Sequence, residues 1–449
     1  MSSHPFAALF GVLAVFAVAS APLCGVAPQG ATPLSPLLAP KSIAPQVPVQ
    51  WRAGAASTVV TPDKLLFMAG YASRKKPAEG KVQDLFAKAL ALEDAQGSRL
   101  VIVTMDLIGV PQSLRQDVAA KAVTSFGLPP ERLLLNASHT HSGPALRTAP
   151  PPHAEDGGNV QALESHNYTQ QLQEKILATI GGALADLQPA RLTWNKARCG
   201  FAMNRRRDYT LPQEHPNANK APNPDGPVDH EVPALRVEAP DGTLRATLFG
   251  YACHNTSLGF FHYCGDYAGF AQQFLQEHRP GFTALFLMGC GGDQNPYPRR
   301  SDVVPGITDL ELAQQHGRTL SNAVEVALSA NPRPMGSRIR AAYEEVLLDY
   351  AKPGRAAHSY PVQVIKLGQD LTLVALGSEV VVDYSLRFKR ELAGTGAVWV
   401  AGYSNDYNGY IPSLRVLKEG GYEAAAGWAD SVEDRIAAKV HELYKRISE

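Results

Sequence analysis

Short apolar runs, each followed by polar residues, set the architecture that this chain can adopt. Leu100-Val101-Ile102-Val103-Thr104-Met105 and Leu133-Leu134-Leu135-Asn136 read as buried strands, as do Ala284 to Met288, Leu371 to Leu376 and Ala397 to Ala401. Val232 to Glu238 and Thr243 to Tyr251 flank Asp241-Gly242, a hairpin signal. Helical patterns lie between these runs. Leu172, Ile176, Ile180, Leu184 and Leu187 recur at helical spacing, and Thr308 with Glu311 forms a capping box. Trp428, Val432, Ile436, Val440, Leu443 and Ile447 mark an amphipathic C-terminal helix. Hairpins and crossovers together predict an α/β fold with a mixed β-sheet core flanked by helices. The 449 residues, 45% of them hydrophobic, are enough to bury a large core.

The N-terminal segment predicts export. Phe6 to Val18 is an apolar h-region, and Ala19-Ser20-Ala21 offers a small-x-small cleavage site. The expected organisation is a signal peptide over 1–21, a Pro/Ala-rich linker over 22–50 and one catalytic domain over 51–449. The mature protein is expected to be secreted, periplasmic or at the cell surface. Leu23 before Cys24 disfavours a lipoprotein processing site. No later stretch has the ~20 uninterrupted apolar residues of a membrane span. Lys+Arg and Asp+Glu both total 42, so no basic stripe points to nucleic acid. The densest basic run, Arg205-Arg206-Arg207, reads equally as a solvated loop. Cys199, Cys253, Cys264 and Cys290 form no Cys-x-x-Cys pair, which disfavours a zinc–thiolate cluster; one disulfide is possible in an oxidising compartment.

The chemistry gathers where strands end. His139 and His141 follow the run at 133–136, His254 the run at 243–251, and Asp293 the run at 284–288. Glu379 follows 371–376; Asn405, Asp406, Tyr407 and Tyr410 follow 397–401. In α/β sheets such positions converge in one cleft. His139-Thr140-His141 puts two imidazoles on one side of an extended backbone, so that one can bind zinc while the other moves protons. Taken alone, the pair is equally two hydrogen-bonded structural histidines. Glu379 in Gly377-Ser378-Glu379-Val380-Val381-Val382 is more telling, because a carboxylate in an apolar segment is costly unless paired or metal-bound. Gly289 to Pro296 is a glycine-rich loop without the Lys-Ser/Thr of a phosphate cradle, and is expected to support the site through its backbone.

These motifs, in order, resemble the catalytic domain of the neutral, non-lysosomal ceramidases. The resemblance runs from about Thr58 to Glu423. It rests on Met68-Ala69-Gly70-Tyr71-Ala72, Ser138-His139-Thr140-His141-Ser142-Gly143-Pro144, Met203-Asn204-Arg205, His254-Asn255-Thr256-Ser257, Gly292-Asp293 with Asn295-Pro296, and Asn405 to Tyr410 followed by Tyr422-Glu423. It implies a zinc-dependent amidase that cleaves the N-acyl bond of ceramide or a related N-acyl lipid by attack of zinc-bound water. It implies zinc held by His139, His254, Glu379 and Tyr410, with His141, Arg205 and Tyr422 acting on the substrate. His141 would protonate the leaving nitrogen, while Arg205 and Tyr422 stabilise the oxyanion; Glu379 and His141 both remain open as general base.

The chain departs from the family at four places. It ends one helix beyond Tyr422, without room for the C-terminal immunoglobulin-like domain of full-length members. Ala145-Leu146-Arg147 follows Pro144 in place of further glycines, the serine of the Gly-Asp loop is missing, and Leu211 to Pro227 is an unusual polar loop. An exported hydrolase of another amide or ester (an N-acyl amino acid or a cell-wall fragment) is the second reading, and a secreted binding protein with an inactive site the third. A lipid substrate would bring peripheral membrane contact; the sequence carries no signal for oligomeric state.

Overall fold

Eight strands form the main sheet: β1 (Trp51–Val59), β2 (Phe86–Glu93), β3 (Arg99–Met105), β4 (Leu133–Ala137), β5 (Gln188–Arg198), β6 (Glu231–Glu238), β7 (Leu244–Tyr251) and β8 (Thr283–Met288). Their order is β8-β7-β6-β5-β1-β2-β3-β4, and the short strand Arg333–Pro334 pairs with β5. The centre is antiparallel, but both ends are parallel: β3 with β4, and β7 with β8. A parallel pair needs a crossover. Helices α1 (Gln112–Phe126) and α3 (Asp266–Gln276) lie in those two connections, and α2 (Val160–Ala185) leads from β4 to β5. The expected mixed α/β architecture is therefore present. The structure is a computed structural model that describes residues 50–152, 159–215, 223–299, 305–394 and 396–449. The expected signal peptide, Cys24 and the linker up to residue 49 lie outside the described residues, as does part of the 211–227 loop.

A second sheet follows α4 (Asp309–Ser329), which opens on the expected Thr308–Glu311 capping box. It runs β9 (Ile339–Leu348), β10 (His358–Leu367), β11 (Leu371–Leu376) and β12 (Ala397–Ala401), in that order. Its last pair is again parallel, with α5 (Val382–Glu391) in the crossover. Side chains alternate between faces with the strand period of two. Leu90, Ile102, Leu134, Leu248 and Leu285 of the main sheet share one core with Ile365, Leu373 and Trp399 of the second. Val101, Val103 and Leu133 turn the other way, onto Leu114 and Val118 of α1 and Leu172 and Ile176 of α2. The outer face of the second sheet is covered by α5 and α7 (Val432–Ser448).

Two helix ends differ from the apolar periodicity. α2 stops at Ala185, and Leu187 packs beyond it. α7 starts at Val432, so Trp428 precedes it, stacked on Tyr350 with ring centroids 4.2 Å apart. The four described cysteines are free and buried, so no disulfide forms among them. No described helix is long and apolar enough to cross a membrane.

One side chain ties three strand ends together. Asn136, at the end of β4, donates from Nδ2 to the Gly402 carbonyl at 2.7 Å and to Ser404 Oγ at 3.0 Å. Its Oδ1 accepts from the Met288 amide at 2.9 Å. The ends of β4, β8 and β12 are thereby held side by side. Asn136→Ala would strand these buried groups, each costing about 1–3 kcal/mol when unpaired. A stability loss of about 3 kcal/mol is expected in denaturant unfolding, and a loss below about 0.5 kcal/mol would show that the clasp is dispensable.

Candidate metal centre

Every sequence-nominated ligand sits just past the C-terminal end of a strand that belongs to one of the three parallel pairs. His139 lies past β4, His254 past β7, Glu379 past β11 and Tyr410 past β12. Parallel strands end on the same side, so their following loops meet. Glu379–Val380 and Tyr410–Ile411 even pair as two short parallel strands, with Glu379 opposite Tyr410. His139 does not continue an extended backbone, as expected from sequence. It has φ 60°, in the left-handed region, and this turn rather than strand geometry aims its ring inward.

The two histidines nominated as ligands are oriented alike. His139 Nδ1 donates to the Ile108 carbonyl at 2.7 Å, and His254 Nδ1 to the Gly291 carbonyl at 2.6 Å. In the neutral rings this leaves Nε2 as a lone pair, and both lone pairs face Glu379. Glu379 Oε2 lies 3.2 Å from each Nε2, in a buried site, yet no donor satisfies it among the described residues. Two lone pairs and a carboxylate oxygen at this range repel one another unless a proton or a cation lies between them. Imidazole, imidazole and carboxylate form a donor set that suits a borderline cation such as zinc. The Tyr410 phenol oxygen reaches the same space, 3.5 Å from His254 Nε2.

The nominated substrate-facing residues surround this core. His141 Nε2 is 3.0 Å from His139 Nε2, so His139, His141 and His254 present ring nitrogens within 4.8 Å of one another. His141 Nδ1 is buried without a partner. Arg205 Nη1 lies 3.3 Å from His254 Nε2, its Nε is anchored on Glu423 at 2.9 Å, and its Nη2 is buried without a partner among the described residues. Tyr422 stands at the outside, 69% exposed, its ring 5.1 Å from that of Tyr410. Arg206 is not the solvated residue that its run suggested. It is buried and ion-paired to Glu419 and Glu423. Glu423, which anchors both arginines, was not nominated; its adjacency to Tyr422 was the only sequence signal.

Two glycines are required by close approach. A Cβ on Gly70 (φ +97°) would fall within 2.7 Å of three His141 side-chain atoms, and one on Gly292 2.6 Å from the Glu379 carbonyl. The glycine-rich loop serves the site through its backbone, as expected. Gly291 accepts from His254, and the Asp293 carbonyl accepts from the Arg205 amide at 2.9 Å.

Electrostatics follow from burial. Desolvation, then the Arg205 charge, brings His254 down to about 3. Desolvation, then His139, holds His141 well below its ordinary value. Burial by itself would raise the Glu379 carboxyl, but a proton on the facing nitrogens of His139 and His254 would hold it well below the usual carboxylate range. Burial and then Glu379 push the Tyr410 phenol up. Burial opposes the Arg205 charge, but Tyr410 and Glu423 hold it above the usual guanidinium range.

The fold and site thus define an α/β protein with a buried histidine–carboxylate cluster at the meeting point of parallel strand ends, with a donor set that could hold a metal ion. The chain belongs to the neutral/alkaline non-lysosomal ceramidase family: the model of that family's N-terminal region matches residues 53–286. It is 26% identical over 227 residues to neutral ceramidase A of Dictyostelium discoideum, covering 47% of this chain and 31% of that protein. It is 26% identical over 243 residues to neutral ceramidase B of the same organism, covering 51% and 33%. The matched region is about a third of the length of these curated relatives. A solved ceramidase complexed with C2 superposes with a TM-score of 0.72 at 19% identity, covering 88% of this chain and 76% of that one. The neutral ceramidase from Pseudomonas aeruginosa superposes with a TM-score of 0.71 at 19% identity, covering 88% and 75%. These structures share the fold.

A cation bound here should stabilise the folded state by mass action, by about 2.7 kcal/mol at 100 times its dissociation constant. Adding zinc to metal-stripped protein is expected to raise the melting temperature, and His254→Ala to abolish that rise. An undiminished rise in the variant would place the cation elsewhere.

Proposed function

We propose that this chain is a zinc-dependent amidohydrolase that cleaves the N-acyl amide bond of ceramide or a related N-acyl lipid, giving an amine and a fatty acid. The observation that carries the reading is Glu379 Oε2, buried at 3.2 Å from two imidazole nitrogens and lacking a donor. Membership of the ceramidase family supplies the substrate class. His139, His254, Glu379 and Tyr410 would hold the ion. When bound, zinc supplies Lewis acidity, polarising the amide carbonyl and acidifying water.

The remaining work falls to the chain's own residues. Arg205 offers its unpartnered Nη2 to the carbonyl oxygen as negative charge grows there, and Glu423 keeps the guanidinium aimed. Tyr422, beside Tyr410 at the exposed edge, supplies a second donor once the amide is seated. His141, buried next to His139, takes the proton released as water attacks and passes it to the leaving nitrogen. One group thus serves as base and then as acid. With residues 1–21 read as an export signal, this activity would lie outside the cytoplasm, which N-terminal sequencing of the mature protein checks.

Purified protein is expected to contain about one zinc per chain. His139→Ala should lose hydrolysis altogether, and retained activity in that variant would sink the mechanism. Arg205→Met is expected to lower kcat about 10²-fold, the usual cost of one oxyanion donor. A hydrolysis panel of long-chain ceramides against short N-acyl compounds decides the substrate. Turnover of the short compounds alone would remove the ceramide assignment while leaving the hydrolase.

A further inference from the structure

Tyr403 carries two costs in one residue. It is fully buried, and its backbone has φ 51°, a region that bulky residues rarely occupy. Its phenol oxygen has no hydrogen-bond partner among the described residues. The backbone strain has an evident use. The Tyr403 amide donates to the Ser378 carbonyl and its carbonyl accepts from the Ala137 amide, at 2.9 and 3.2 Å. The residue therefore stitches the segment leading to His139 to the segment leading to Glu379. Its ring packs on His139 with centroids 4.5 Å apart, and lies 6.3 Å from the ring of His254. Phenylalanine would make every one of these contacts. The hydroxyl alone lacks an account, and an unpaired buried hydroxyl is a standing penalty. The ring packs in the apolar cluster of Tyr251 and Tyr267 as well as against His139, the nominated ligand.

We propose that the Tyr403 hydroxyl is a further functional group of the centre, a hydrogen-bond donor to the oxygen, of water or of the substrate carbonyl, that occupies the site during hydrolysis. The inference rests on the zinc amidase reading and adds a residue to it. The donor is oriented in advance by the rigid ring on His139, so it needs no reorganisation as charge develops. A side chain kept at a cost to stability for the sake of reaction gives a signature that packing alone does not: removing it stabilises the fold and slows the chemistry.

Tyr403→Phe tests this, because it keeps the ring and deletes one oxygen. The variant is expected to melt at a higher temperature than wild type, with kcat reduced about 10-fold or more and KM within 2-fold. Zinc affinity, read by competition with a chelator in the absence of substrate, separates two forms of the result. A weakened affinity assigns the hydroxyl to water held with the ion. An unchanged affinity with reduced kcat assigns it to the substrate oxygen. A variant whose kcat, KM and zinc affinity all stay within 2-fold of wild type overturns the proposal and leaves Tyr403 as packing. Tyr403→Leu, measured in parallel, reports the ring: it should lower zinc affinity by loosening His139. Wild type is measured alongside, and if it neither binds zinc nor hydrolyses amides, the amidase reading itself has failed and the hydroxyl assignment falls with it.

Discussion

A carboxylate oxygen held against two imidazole lone pairs in a buried site is the arrangement on which the rest of the molecule depends. Such a contact is repulsive in isolation, and the protein maintains it with fixed backbone groups. The carbonyls of Ile108 and Gly291 set the ring tautomers. Gly292 lets the Glu379 backbone approach where a side chain would collide. His139, Ser378, Tyr403 and Asn405 all take positive φ around it. Each such residue costs on the order of 1–3 kcal/mol and persists only where surrounding packing over-determines it. The shared core between the two sheets does that.

Charge is arranged around the same point. Glu423 accepts from Arg205 at 2.9 Å and also pairs with Arg206, itself tied to Glu419 at 3.0 Å. A buried guanidinium needs such anchoring, since burial penalises its charge. Using Nε for the anchor leaves Nη2 without a partner among the described residues.

Much of the frame was legible in the sequence. Buried strands announced themselves as short apolar runs, and the hairpin and capping box followed from local chemistry. Leu187 and Trp428 misled because apolar periodicity records burial, not helical hydrogen bonding, and both bury themselves beyond a helix end. In the site, His139, His254 and Glu379 stood out as polar residues past apolar strands. Tyr410 is an ordinary strand residue by composition, and only the family resemblance singled it out. Nothing in three consecutive arginines told which one reaches the site, because the difference lies in distant partners: Arg205 meets His254, while Arg206 turns to Glu419. The turn at His139 and the unpaired hydroxyl of Tyr403 are tertiary properties, invisible to any local pattern.

The chain order of the ligands constrains how the protein can come into being. His139, His141, Arg205 and His254 lie within the span matched by the family's N-terminal region, while Glu379, Tyr410 and Tyr422 come after it. The nominated ligands lie in segments far apart in the chain, so the loops between them must close before the full set meets. Small zinc modules differ, since their ligands are neighbours. During synthesis the main sheet emerges first, carrying His139, His141 and His254 past its strand ends. Only arrival of the second sheet brings Glu379 and Tyr410 to these histidines, so a centre of this composition is complete only once both sheets have met.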